Sequence, residues 1–81
     1  MVNIGDVIEI GGEEATVCFK TIYEEEQYMC VAFENPSLRY DIYTYKIENN
    51  KLMVSKVDDP QELEAVLKIF TEESMNEYDV P

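Results

Sequence analysis

Apolar and polar positions alternate with a period of two along most of the chain up to Val57, and beyond that point the period becomes helical. Asp6 to Ile10 alternates acidic and apolar side chains and runs into Gly11-Gly12-Glu13-Glu14, whose glycines accept the positive φ of a hairpin turn. A second strand, Ala15 to Tyr23, and a third, Tyr28 to Phe33, flank the acidic tip Glu24-Glu25-Glu26-Gln27. Placing Phe19 opposite Val31 sets Val17 opposite Phe33 and Thr21 opposite Met29, which gathers the large apolar side chains of both strands on one face. A slip of one residue destroys the match.

Glu34-Asn35-Pro36-Ser37 interrupts the alternation, because proline cannot donate to a ladder and restricts the residue before it. A fourth strand follows from Tyr40 to Glu48, then Asn49-Asn50, a two-residue hairpin signal, then a fifth strand from Lys51 to Val57. That turn pairs Ile47 with Leu52 and Tyr45 with Val54, a second apolar block able to join Val17, Phe19, Val31 and Phe33 under one cover. The cover is a helix: Asp59 suits its N-cap, Pro60 its first position and Glu62 the reciprocal position of a capping box. Leu63, Val66, Leu67 and Phe70 fall on one helical face, with Glu64, Lys68 and Glu72 opposite. From Ser74 the pattern fades. The expected fold is α+β: a five-stranded antiparallel meander, open or curled toward a partial barrel, with one C-terminal helix on one face. Residues 1–74 form the single domain and residues 75–81 a mobile acidic tail.

Composition changes the picture in two ways. With 81 residues the chain holds one small core, and its 46% hydrophobic content is that of a globular protein. The balance of 18 acidic against 6 basic side chains, a formal charge of −12, repels nucleic-acid phosphates and anionic membranes. Direct nucleic-acid binding is therefore not expected, nor is a membrane span, since no apolar run approaches about 20 residues. The N-terminus lacks the basic region of a signal peptide. Cys18 and Cys30 lie in apolar strand runs and, in the register above, diagonally on one face. Free, structural thiols in a cytoplasmic protein are the expectation.

Tyr28 to Phe33, Asp41 to Tyr45 and the helix start in Val57-Asp58-Asp59-Pro60-Gln61-Glu62-Leu63-Glu64-Ala65-Val66 together resemble the YrzB-like bacterial proteins of unknown function. The resemblance covers about the C-terminal two-thirds of the chain, and the opening Ile4-Gly5-Asp6-Val7 hairpin is not matched. It implies a short, acidic, cytoplasmic protein and carries no catalytic residues across.

Candidate chemistry is sparse. The chain has no histidine, which removes the usual proton-transfer group at neutral pH and the partner for serine or cysteine nucleophiles. Asp58-Asp59 and the Glu24 to Glu26 run are the candidates for paired acid–base carboxylates, and adjacent acids in turns are usually solvated. The glycines do not make a phosphate loop, and neither calcium-loop nor zinc spacing occurs. The chain is therefore expected to be no enzyme, to use no cofactor or metal, and to act by protein–protein contact as a monomer or homodimer.

Two surfaces are candidates for that contact. Carboxylates at Glu13, Glu14, Asp58, Asp59 and Glu62 fall at one end of a simple meander, and Glu24, Glu25, Glu26 and Glu48 at the other. They suit a basic partner, and in an alternative reading they imitate phosphates and occupy the groove of a nucleic-acid-binding protein, as an inhibitor of phage or anti-defence type would. The sheet face turned from the helix carries Tyr28, Ile42 and Met53 with Ile22, Cys30, Ala32 and Val57. That face is either an interface or hidden by curling of the sheet.

Overall fold

The computed structural model describes residues 2–78 and contains β1 (Val7–Ile10), β2 (Glu13–Tyr23), β3 (Glu26–Phe33), β4 (Arg39–Glu48), β5 (Lys51–Lys56) and α1 (Pro60–Tyr78). The strands form one antiparallel meander in the order β1-β2-β3-β4-β5. The α+β expectation holds in strand number, order and the C-terminal helix. Asn49 and Asn50 take left-handed dihedrals, φ 51° and 63°, at the β4–β5 turn, and Ile47 pairs with Leu52 and Tyr45 with Val54 as expected. Among the described residues no helix is long and apolar enough to cross a membrane.

The β2–β3 register differs from the expected one. Thr16 pairs with Ala32 and Val17 with Val31; Cys18 is then skipped, and pairing resumes with Phe19 opposite Cys30 and Thr21 opposite Tyr28. The extra residue is a β-bulge, which places two residues of one strand against one of the other and shifts the side-chain alternation by one. Ala15 and Val17 therefore face one side of the sheet and Phe19 the other. The expected pairing kept all three strand-two apolar residues on a single face and had no room for this.

The consequence is two cores separated by the sheet. On the concave side Ala15, Val17, Met29, Val31, Phe33 and Tyr45 are buried together with Val2, and Ile8 and Ile10 from β1 and Leu52 and Val54 from β5 pack against the same cluster. Contributions from both the first and last strands to one cluster require strong curling, and the sheet is nearly a barrel. The N-terminal segment seals it: Lys20 Nζ donates to the Val2 carbonyl at 2.7 Å, and Gly5, at φ 96°, donates its N–H to Val17 O at 2.8 Å.

The helix covers the convex side, opposite to expectation. Val66 and Phe70 bury against Tyr28, Ile42 and Val57, with Phe19, Tyr23, Cys30 and Leu63 at the margin, and the Phe19 and Phe70 rings lie 5.9 Å apart. Curling has already closed the concave face with its own side chains, so the apolar row left for a helix is the outer one. Leu67, placed on the packed helical face by its spacing, is 47% exposed, because a convex surface touches a narrower stripe of helix. Asp59 caps α1 as expected: its Oδ1 accepts from Gln61 N–H at 3.1 Å and its carbonyl from Leu63 N–H at 2.9 Å. The helix continues past Ser74 to Tyr78, so the segment expected as a tail begins as helix, and its last residues, 79–81, lie outside the described residues.

Candidate protein-binding surface

The second strand turns into the third through only two residues. Glu24 and Glu25 occupy the turn with φ 49° and 67°, both left-handed, while Glu26 and Gln27 already belong to the ladder. Such a turn matches the twist of the flanking strands and is normally filled by asparagine, aspartate or glycine. A glutamate has no compensating local hydrogen bond there and carries the Cβ penalty of left-handed backbone, on the order of 1 kcal/mol per residue. The same geometry at Asn49-Asn50 is made from residues that tolerate it. Two glutamates side by side in this conformation, next to Glu26, hold carboxylates at the tip at the expense of the fold.

The helix start lies against this tip. β5 ends at Lys56, opposite Tyr43, about midway along β4, and Val57 N–H then donates to Ile42 O at 3.0 Å. The chain therefore enters α1 without returning to the far end of the sheet, and the first turn of the helix reaches the β2–β3 hairpin. The Tyr28 hydroxyl, buried under α1, donates to Glu62 Oε2, and Glu26 Oε2 lies 3.5 Å from that hydroxyl. Glu62, nominated for the reciprocal capping contact, thus ties the helix to the sheet. Burial, the Glu62 hydrogen bond and the two carboxylates push the Tyr28 phenol well above its ordinary value, so it remains a donor throughout the physiological range.

Two clefts flank the tip. One, about 370 Å³, is lined by Tyr23, Glu24, Asp59, Gln61 and Glu62. The other, about 460 Å³, is lined by Glu25, Glu26 and Gln27 on one side and by Thr44, Lys46, Met53 and Ser55 on the other. Met53 is 48% exposed there, an apolar side chain beside carboxylates.

This arrangement regroups the residues that sequence reasoning selected. Glu24, Glu25, Glu26, Asp59, Glu62 and Met53 come together around the tip. Asp58 is exposed in the link before the helix. Glu13 and Glu14 lie away from Asp59 and Glu62, not with them as a full-length fifth strand would require; they line a third cleft with Gly12 and Asn35. Glu13 is also engaged by Arg39 at 2.9 Å, whose guanidinium sits 4.5 Å over the Phe33 ring and donates to Asn35 O at 2.8 Å. Tyr28 and Ile42, nominated as exposed anchors, are buried beneath α1, because the helix takes the convex face. Sequence reasoning missed Tyr23, Gln61 and Lys46. The available signal was the shortness of the fifth apolar run, which ends at Val57 with no residues to spare for a long strand.

Among the described residues no three cysteine or carboxylate side chains converge in a way that could hold a metal ion, and no buried side-chain nitrogen or oxygen lacks a partner. Compared with protein-family models, with curated proteins and with solved structures, the chain matches none of them.

Proposed function

We propose that this protein is a non-enzymatic, cytoplasmic interaction module that presents the Glu24-Glu25 end of its sheet to a partner bearing lysine or arginine side chains around an apolar anchor. The observation that carries the reading is the pair of left-handed glutamates at a two-residue turn, set between the clefts that hold Asp59, Glu62 and Met53. Residues kept in an unfavourable conformation where asparagine or glycine would serve better argue for selection on what their side chains meet. The net charge of −12 adds long-range attraction for a basic surface. Resemblance to the YrzB-like proteins fits a small acidic module of this kind. Mimicry of nucleic acid is the special case in which the partner's basic surface is its nucleic-acid groove.

The test is affinity capture from host lysate on the immobilised protein and three variants: Glu24→Lys with Glu26→Lys, Met53→Lys, and Glu14→Lys as a distant control. The expected result is a protein retained by the parent and Glu14→Lys forms, lost on the other two, and released at moderate salt. A partner retained equally by all forms, or lost equally from all three variants, would overturn the assignment of this end. Competition of the partner by added DNA or RNA would identify the mimic case.

A further inference from the structure

The bulge brings the two cysteines into neighbouring positions across β2 and β3. Val17 faces the concave core, and Lys20 reaches the same side to bond the Val2 carbonyl. Between them stand Cys18 and Phe19, and Phe19 points out to the helix, paired with Cys30. Cys18 itself has no partner, but it adjoins Phe19, the partner of Cys30, and so lies one position from Cys30 across the strands instead of the two expected from the sequence. Its Cα is about 3.8 Å along the strand from that of Phe19, which lies about 4.5–5.5 Å from Cys30, so the two cysteine Cα atoms are about 6–6.7 Å apart, in the upper part of the roughly 4.4–6.8 Å window that a disulfide spans. Both thiols are free and partly exposed, and a Cys18 thiolate is close enough to act electrostatically on Cys30.

We propose that Cys18 and Cys30 form a reversible dithiol site at the β2–β3 bulge, which reacts with glutathione disulfide or a similar small disulfide to close a cross-strand bridge. In the first step the Cys18 thiolate attacks one sulfur of glutathione disulfide; a Cys18–glutathione bond forms, the glutathione S–S bond breaks, and one glutathione thiolate leaves. In the second, Cys30 loses its proton to solvent and attacks the Cys18 sulfur, and the second glutathione leaves. Two cysteine thiols are oxidised and one glutathione disulfide is reduced to two thiols. The order follows from the surroundings of Cys30: burial, then the neighbouring Cys18 and Asp41, push its thiol up to about 11, so it is protonated at neutral pH and serves as the resolving group. The second step is then limited by Cys30 deprotonation, and its rate rises about tenfold per pH unit below that value.

The experiment treats the full chain with glutathione disulfide between about pH 7 and pH 9.5 and follows intact mass after acid quench. Expected is a transient adduct of about 305 Da, converting to a product about 2 Da lighter than the starting protein, with conversion roughly 300-fold faster at the upper pH. Cys30→Ser should stop at the adduct. Cys18→Ser should react at least about tenfold more slowly than Cys30→Ser at neutral pH. A stable adduct on the unsubstituted chain, adducts on both cysteines, a covalent dimer, or equal reactivity of the two single variants would each overturn the proposal.

Discussion

Replacing both Glu24 and Glu25 by asparagine should stabilise the protein and weaken its binding at the same time. The molecule contains its own reference, since Asn49-Asn50 adopts nearly the same dihedrals as Glu24-Glu25, φ 51° and 63° against 49° and 67°. Asparagine is enriched several-fold in this region where other residues are rare, and its penalty is a fraction of the roughly 1 kcal/mol that a glutamate incurs. Two such replacements should together give about 1 kcal/mol, with a smaller further gain from separating adjacent like charges. For a domain of this size that corresponds to a rise of about 4–8 °C in Tm. The reciprocal change, Asn49→Glu with Asn50→Glu, should lower Tm by a similar amount, because the backbone requirement is the same and only the sequence differs. Thermal and urea unfolding of the parent and the two double variants, with m unchanged, decide the matter. If Glu24→Asn with Glu25→Asn brings no gain in stability while Asn49→Glu with Asn50→Glu brings a clear loss, the tip glutamates are not held at a cost, and the argument from strain to function fails.

Other outcomes follow from contacts under and beside the helix. Tyr28→Phe keeps the ring but removes the donor to Glu62, and should cost about 1.5–3 kcal/mol in a urea titration, since the acceptor is a carboxylate. Phe70→Ala opens the convex core and should cost about 3–5 kcal/mol, whereas Leu67→Ala, on the exposed side, should stay within about 0.5 kcal/mol; equal losses would mean that the helix packs differently. The Tyr28 phenol and Cys30 thiol both bind their protons more tightly folded than unfolded, so the stability they confer is complete below about pH 9 and declines as pH rises through about 11, where Cys30 titrates, and beyond it for Tyr28. The urea midpoint should fall over that interval, and fall less in a Tyr28→Phe, Cys30→Ala double variant. Glu13→Ala should change stability by no more than about 1 kcal/mol, because its ion pair with Arg39 is exposed.

The element order was legible because each strand and the helix has a local signature: glycines or asparagines at two turns, a proline break, and the Asp59-Pro60 start of α1. Which side of the sheet each residue faces was not. Alternation assigns faces only relative to a neighbour, and a single unpaired residue at Cys18 inverts the assignment for everything after it in β2. No residue type marks a bulge in the middle of an apolar strand. The helix position failed for a related reason: its apolar stripe shows that it packs, while the curvature that chooses the face arises from all five strands together. The candidate surface was half legible. Glu24 to Glu26, Asp59, Glu62 and Met53 were each singled out, but bringing them to one end depended on where β5 stops, and a sequence places strand ends only to within a few residues.

The bulge also says what variation β2 can bear. Ala15 and Val17 serve one core and Phe19 and Tyr23 the other, and what keeps both in place is the number of residues between them. Exchanging Cys18 for serine leaves that number intact and should leave the architecture intact. Deleting it forces half of the strand to turn its side chains to the wrong side, exposing either Val17 or Phe19. As far as the architecture goes, related chains should therefore hardly vary in whether this position is occupied, so that a gap within β2 is a surer sign of a different fold than any substitution there.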